Sequence, residues 1–504
     1  MKSTSSPMTY IPPLCDGACG TLPRSQQHFG GLLRAELMDC VRMMPAMCWS
    51  VMRQMRGMGV GDMRDMVLHV LLGCMEVGMM VAALPVMMMM PGVVAMMWMA
   101  CCAVVVMGMC TVVNGREMVC VCSEGGEGVE DEKWMFVGGM GMSSRRCHRV
   151  TLPMMSRLFN RPITCIYAPT YGLPFDTVIM MLQRCLHLPS QTRRNLYAQM
   201  RSSLLDDAMH RVVVLCHNHS AITVSHAVSQ LCADLPHDKL RKLEIYTFGS
   251  AAPEFMMPLG EANLEPEPTS HSPLSSQHPA DIMSASTPPA SPDRKSIHIE
   301  HFAMSHDPFA QLGVLRSVRR DMDGRMCGGV FIMNACPPST SATPSQRTTA
   351  MSTSTPTTME SYLHSLFPSH LPSNPNTRSL LDYTMHIDRD CAEKREITAM
   401  TNYHSASHSR SSKTAKRLSW TGLAAASVNG AAAQKGMNGV SAGMMGLEMA
   451  RRGCKDCSGH KGREVSWLVR YVGGMQMGMG AGGNVMGIAG MEGGKMEGRR
   501  GEGQ

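Results

Sequence analysis

A short segment near the middle of the chain carries residues whose types and order could perform chemistry. Residues 211–227 read RVVVLCHNHSAITVSHA, an uninterrupted β-branched run followed by small and polar residues. Such a run predicts a parallel strand buried on both faces, and the turn at the carboxyl end of such a strand is where open α/β sheets place their sites. Cys216, His217 and Ser220 are therefore candidates for a nucleophile or a base.

The nucleophile turn of α/β-hydrolases, G-x-S-x-G, provides a test of this segment. Aligned at the strand end, the five positions here run from Cys216 to Ser220, so that Asn218 stands at the nucleophile position and neither glycine is present. A carboxamide cannot be deprotonated into an attacking group, and Asn218 is predicted instead to cap the following helix. Cys216 lies two positions too early and Ser220 two positions too late to replace it.

Metal binding has little support in the sequence. His217 and His219 are two residues apart on a turn, with no carboxylate near them in sequence. Cys454, Cys457 and His460 have the beginnings of zinc spacing, but no second Cys or His pair follows. We therefore predict no metal and no cofactor.

The elements around this segment alternate between strands and helices. Strands are predicted at 134–139, 162–172, 211–215, 242–248, 297–303 and 328–334, with helices at 175–186, 194–209 and 224–231. This alternation predicts an α/β domain over residues 133–400 with a mainly parallel sheet. Two Ser- and Pro-rich stretches, 261–295 and 337–358, are predicted to be disordered insertions, and a charged helix over 376–398 is expected to close the domain.

Four stretches of this domain resemble α/β-hydrolase-like proteins of filamentous fungi that join a membrane-embedded amino-terminal part to a lipase-like domain. They are KWMFVGG, RPITCIYAPTYGLPFDTVIMMLQRCL, KLEIYTFGSAAPEF and IEHFAMSHDPFAQLGVL. The resemblance implies an α/β-hydrolase-like fold with the acid of a triad at Asp307, which can also be a helix cap before Pro308. The triad histidine is expected in SYLHSLFP, where Ser361 stands at its position and His364 is displaced. Gly138 and Gly139 could form an oxyanion loop or a plain turn.

Ahead of this domain lies an apolar region. Residues 77–113 contain no charge over 37 positions, which is too long for one membrane-spanning helix. We predict a transmembrane hairpin within 66–113, with spans at about 66–84 and 91–113 that turn near Pro85 and Pro91. The alternatives are one span plus a re-entrant or interfacial segment, or a buried hairpin of a soluble protein. Residues 1–65 are predicted to be a cytosolic segment, and residues 114–132 an acidic, Gly-rich linker.

The charge distribution argues against nucleic-acid binding. The net charge of +7 comes from residues 404–504, which hold 14 Lys and Arg against 6 Asp and Glu, whereas the rest of the chain sums to −1. A nucleic-acid-binding domain would carry the positive charge on its own folded surface. We predict that 404–504 is a disordered, basic, low-complexity tail. The 20 Cys are scattered and no secretory signal opens the chain, which favours reduced thiols inside the cell.

Together these observations predict an integral protein of an intracellular membrane with its main domain in the cytosol. Its function is expected to be binding or scaffolding by a pseudohydrolase, with membrane lipid as a partner and an acyl or lipid ligand in the former cleft. Protein partners are not indicated. The alternatives are an active serine or cysteine hydrolase of the lipase or esterase type with a displaced nucleophile, and a structural polytopic membrane protein.

Overall fold

The computed structural model describes twelve ranges of the chain, and every structural statement below concerns these residues. They are 7–13, 29–56, 63–114, 119–122, 131–138, 146–186, 188–256, 297–322, 325–334, 358–371, 379–388 and 461–474. The predicted insertion 261–295 lies outside them, as do all but the last residue of 337–358 and most of 404–504.

Nine strands in the described ranges form one sheet. They are β1 (Met8–Ile11), β2 (Val119–Cys122), β3 (Glu132–Val137), β4 (Ile163–Ile166), β5 (Arg211–His217), β6 (Leu243–Phe248), β7 (His298–Met304), β8 (Gly329–Met333) and β9 (Met385–Ile387). Their order across the sheet is β2-β4-β3-β5-β6-β7-β8-β1-β9. The six strands from β4 to β8 in this order are parallel, while β2 and β1 pair antiparallel with β4 and β8. The predicted mainly parallel α/β architecture is confirmed.

Helices cover both faces of the sheet. They are α1 (Phe29–Arg56), α2 (Met63–Met89), α3 (Gly92–Asn114), α4 (Leu152–Phe159), α5 (Leu173–Leu186), α6 (Gln191–Leu205), α7 (Ser220–Asp234), α8 (His237–Leu240), α9 (Pro308–Leu312), α10 (Met359–Leu366) and α11 (Gly462–Val465). Alternate residues of β5 serve the two faces: Val212 and Val214 pack with α6 and α7, whereas Val213 and Leu215 pack with α4 and α10. This double burial explains the unbroken β-branched run.

The α/β domain is wider than the predicted boundaries. β1 and α1 belong to it although they fall in the predicted cytosolic segment 1–65, and β2 lies in the predicted linker 114–132. Residues 461–474, predicted to be part of a disordered tail, pack on the sheet through Leu468, which is fully buried. The helix predicted over 376–398 is wrong for its described part, because Leu380–Asp382 forms a 3-10 turn and β9 follows.

The ion pairs of α1 explain why it joins the domain. Glu36 on α1 is fully buried, and its carboxylate lies 2.7 Å from Nε of Arg184 on α5 and 3.0 Å from Nη1 of Arg316. The Arg184 guanidinium also donates to the carbonyls of Ala251 and Leu312. One buried arginine thus connects α1, α5, the loop that follows β6 and the end of α9.

The helices α2 and α3 are both long and apolar enough to cross a membrane. They form the predicted hairpin, with slightly different bounds. In the most apolar 18-residue stretch of each helix, only 11% is buried in α2 and 17% in α3. A core helix of a soluble protein is mostly buried, so the alternative of a buried hairpin disagrees with this exposure.

Candidate functional site

The turn between β5 and α7 holds the residue that occupies the nucleophile position in the sequence alignment. Asn218 has a positive φ of 52°, a left-handed conformation that Asn tolerates better than most residues. Its amide donates to the carbonyl of Phe248 at 2.9 Å, and its carbonyl accepts from the amide of Ala251 at 3.1 Å. The turn is therefore locked to the loop that follows β6.

The predicted capping role of the Asn218 side chain is wrong. The residue at the N-cap of α7 is His219, and no side chain caps this helix. Instead, the main-chain carbonyl of Asn218 accepts from the amide of Ala221 at 3.3 Å.

Asp307 follows β7 and is fully buried. It is the N-cap of α9, where its Oδ1 accepts from the amide of Phe309 at 2.9 Å, so the predicted cap is confirmed. Its Oδ2 accepts from the hydroxyl of Tyr362 at 2.6 Å. Burial raises the pKa of Asp307 to about 7, although the hydrogen bonds from Tyr362 and from the helix amides act in the opposite direction.

Tyr362 on α10 contacts Asp307 from the segment in which the triad histidine was expected. Its hydroxyl donates to Asp307 and accepts from the amide of Met304 at 3.1 Å. Ser361, which the resemblance places at the histidine position, bonds through its amide to the hydroxyl of Thr358 at 3.0 Å. On this helix, the residue that reaches Asp307 is Tyr362 and not His364.

The side chains of Asn218, Asp307 and Tyr362 converge at Gly249. A methyl group built on Gly249 would lie 2.6 Å from Oδ1 of Asn218 and 3.0 Å from the hydroxyl of Tyr362, and it would also collide with Oδ2 of Asp307. Gly249 itself has a φ of 62°, which disfavours a side chain. Residues from the ends of β5, β6 and β7 and from α10 therefore surround one point at the carboxyl edge of the sheet.

The two candidate substitute nucleophiles, Cys216 and Ser220, are both buried. Cys216 is fully buried at the end of β5, and burial raises the pKa of its thiol far above its ordinary value. Ser220 is also fully buried; its hydroxyl lies 2.8 Å from the carbonyls of both Val137 and His217, and it accepts from the amide of His217 at 3.0 Å. A nucleophile must be deprotonated and reach substrate, and neither group meets both conditions.

The histidines of the turn also have structural neighbours. His217 lies edge-on to the ring of Tyr362, with ring centroids 6.1 Å apart. His219 bonds to the side chain of Gln183 at 2.8 Å, and burial lowers its pKa to about 4, so it is neutral at physiological pH. Within the described ranges no group of three or more His, Cys, Asp or Glu could hold a metal ion.

The other sequence candidates contribute little here. The amide of Gly138 donates to the carbonyl of Ile166 at 3.3 Å, so it is engaged within the sheet. Gly139, Cys454, Cys457 and His460 lie outside the described residues. Sequence reasoning missed Gly249 and Tyr362. The glycine directly after the strand YTF and the tyrosine beside Ser361 were the available signals.

Comparison with known proteins adds no assignment to this geometry. Neither a protein-family model nor a curated protein sequence matches the chain. The chain is therefore characterised by its own fold and site: a mixed α/β protein with a mostly parallel sheet and two helices that could span a membrane. At the carboxyl edge of the sheet, a carboxamide, a buried carboxyl and a phenol meet.

Proposed function

We propose that this chain is a membrane-anchored α/β-hydrolase-like protein that has lost its catalytic nucleophile and acts by binding or scaffolding at an intracellular membrane. One observation carries the proposal. At the point surrounding Gly249, where a hydrolase of this type would assemble its triad, the chain places Asn218, Asp307 and Tyr362.

The order of the three positions along the chain supports the comparison with α/β-hydrolases. In that fold the nucleophile, the acid and the third residue follow one another in sequence, and the nucleophile sits on a strained turn between a strand and a helix. Here the strained turn follows β5, the acid follows β7 and the third residue lies after β8. The left-handed backbone at Asn218 is the strain that such a turn requires.

The chemistry of the three side chains supports inactivity. A carboxamide has no proton that a base can remove to make an attacking group. A phenol whose pKa burial raises well above its ordinary value does not accept a proton as imidazole does. Tyr362 instead closes a hydrogen-bonded unit with Asp307 and the end of β7, and this stabilises the fold.

The exposure of α2 and α3 supports the membrane anchor. Each helix presents apolar side chains that the rest of the described chain does not cover, including Val81, Met88 and Val104, which are each more than two-thirds exposed. Water-exposed apolar area on this scale is unfavourable by ~25 cal/mol per Å². Lipid is the environment in which such a surface is stable.

A turnover assay on the full-length protein tests the proposal. We expect no hydrolysis of nitrophenyl esters of short, medium or long acyl chains by protein reconstituted into phosphatidylcholine vesicles. Turnover that Ser220→Ala or Cys216→Ala abolishes would establish the active-hydrolase alternative. Asn218→Ser alone is also expected to be inactive, since Tyr362 holds Asp307.

A second measurement separates binding from a purely structural role. Lipid extraction and mass spectrometry of protein purified in mild detergent should recover an acyl lipid at a fixed ratio to protein. Gly249→Ala, which puts a methyl group at the centre of the site, should lower that ratio, while Leu205→Ala on the exposed side of α6 should not. Equal lipid in both variants would favour a structural membrane protein.

A further inference from the structure

The α/β domain packs against one end of the α2–α3 hairpin. Glu76 on α2 is fully buried against the loop before α5, where a methyl group on Gly172 would collide with its carboxyl oxygens. At the end of α3, the Asn114 side chain donates to the carbonyl of Thr170 at 2.7 Å and accepts from the amide of Thr170 at 2.8 Å. These contacts attach this end of the hairpin to the α/β domain.

Apolar contacts reinforce the same end. Leu72, Val106 and Cys110 form a small buried cluster, against which Tyr171 and Phe175 of the domain pack. Tyr171 and Phe175 belong to the loop and helix start that hold Glu76 and Asn114. The base of the hairpin is therefore part of the folded domain.

The remainder of the hairpin projects from the domain as a short arm. On α2 no described residue after Glu76 is buried, and on α3 the only buried residue between Gly92 and Val105 is Ala95. The free arm covers 77–89 and 92–105, which are 13 and 14 residues long. At ~1.5 Å per residue it extends about 20 Å, whereas the hydrocarbon core of a bilayer is about 30 Å thick.

The turn that joins α2 to α3, at the tip of the arm, is entirely apolar. Residues 85–93 read PVMMMMPGV and hold no polar side chain, and Met88 and Met89 are 78% and 84% exposed. The backbone limits its own unpaired donors: Met90 donates to the carbonyl of Val86 at 3.0 Å, Pro91 has no N–H, and Ala95 donates to the carbonyl of Pro91 at 3.1 Å. A crossing hairpin would instead expose this turn to water on the far side.

We infer that the α2–α3 hairpin enters a bilayer from the side of the α/β domain and ends inside the hydrocarbon core, so that neither helix crosses the membrane. The occupant of the exposed surface is the acyl chains of the bilayer. Flexible methionine side chains suit contact with acyl chains of changing shape. This inference rests on the proposed membrane anchoring and specifies its geometry.

Depth-dependent quenching in vesicles tests the inference. A fluorescent amino acid is introduced by codon reassignment at Met88 in the turn, or at Met96 on α3, in the full-length chain. The protein is added to preformed phosphatidylcholine vesicles whose lipids carry bromine near the headgroup or near the chain end. Iodide is supplied outside the vesicles or trapped inside them. A label at Leu205, which is 42% exposed on the α/β domain, is the control.

The inference predicts that deep bromine quenches most of the fluorescence at both Met88 and Met96, and that iodide on either side quenches neither. External iodide alone should quench Leu205. Quenching of Met88 by trapped iodide, with Met96 still quenched by lipid, would show a crossing hairpin and overturn the inference while leaving the anchor intact. Failure of the protein to float with vesicles, with external iodide quenching Met88, would refute the anchor itself.

Discussion

The buried carboxyl of Asp307 makes the stability of the domain depend on pH, and Asp307→Asn isolates that dependence. Asparagine has the same shape, and its side-chain oxygen can still accept from the amide of Phe309 at the start of α9. The substitution removes the ionisation from a group that is fully buried and bonded to the hydroxyl of Tyr362. The change in charge is therefore separated from a change in packing.

The sign and size of the effect follow from the pKa of Asp307. Burial raises the pKa from 3.8 to about 7, so the folded protein holds the proton more tightly than the unfolded chain does. The stability from this carboxyl is fully present below pH 3.8 and is lost as the pH rises to about 7. At about 1.36 kcal/mol for each pKa unit, the free energy of unfolding falls by up to about 4 kcal/mol.

Urea unfolding of the full-length protein in detergent, followed at several values between pH 4 and pH 8, measures this dependence. The free energy of unfolding of the wild type should fall with rising pH relative to Asp307→Asn. Asp176→Asn is the matched control, because burial raises the pKa of Asp176 only to about 6. This variant should remove the share of the decline that Asp176 contributes below about pH 6 and keep the decline that Asp307 contributes up to about pH 7. Parallel curves for the wild type and Asp307→Asn would refute the reasoning.

Four further predictions follow from named contacts. Glu36→Gln leaves the buried Arg184 charge unpaired and should lower the free energy of unfolding by about 3–5 kcal/mol, whereas Arg320→Gln, which removes a guanidinium that is itself 63% exposed, should cost about 0–1 kcal/mol in the same urea experiment. Gly249→Ala should lower the melting temperature, because its methyl group has no room and φ is positive; an unchanged melting temperature would contradict the site geometry. Asn218→Ser should yield no esterase activity above that of the wild type in a nitrophenyl ester assay. Tyr471→Phe removes a hydroxyl that bonds to Glu244 at 2.8 Å and should cost about 1–3 kcal/mol, with faster amide exchange confined to 461–474 by mass spectrometry.

Periodicity and β-branched runs predicted the strands β3 to β8 and the helices α5 to α7 from sequence. The run RVVVL predicts β5 because both faces of that strand are covered. The spacing of Val178, Leu182 and Leu186 correctly predicts the helix α5, but Val178 and Leu186 are 43% and 42% exposed, so the apolar face is not the one that packs inward. The pattern failed where packing is made by partners far apart in sequence. Glu36 pairs with Arg184, which is 148 residues away, and no local sequence pattern predicts that pair.

Composition misled in the carboxyl-terminal region. Residues 461–474 lie among Gly- and Met-rich sequence that favours disorder, yet they contain three large side chains, Trp467, Leu468 and Tyr471. Leu468 and Tyr471 fill the sheet face around Trp134, and the amide of Trp467 donates to Glu300 at 2.7 Å. Composition averaged over a longer stretch of sequence hides the apolar residues of such a short segment.

At the candidate site, sequence identified Asn218, Asp307 and the segment of the third residue, but not that Tyr362 is the residue of this segment that contacts Asp307. The alignment could locate the segment that contains α10, but only the rotation of the helix decides whether Ser361 or Tyr362 faces Asp307. The position of Gly249 directly after the strand YTF was a signal for a turn, but its role in the site depends on three side chains from other elements.

Reaction with a fluorophosphonate probe tests the central claim most directly, because the probe modifies only an activated serine. The full-length protein in vesicles is incubated with the probe, and its intact mass and labelled peptides are measured. The proposed loss of the nucleophile at Asn218 predicts an unmodified chain. A stoichiometric adduct on Ser220, or on another serine of the α/β domain, would contradict it.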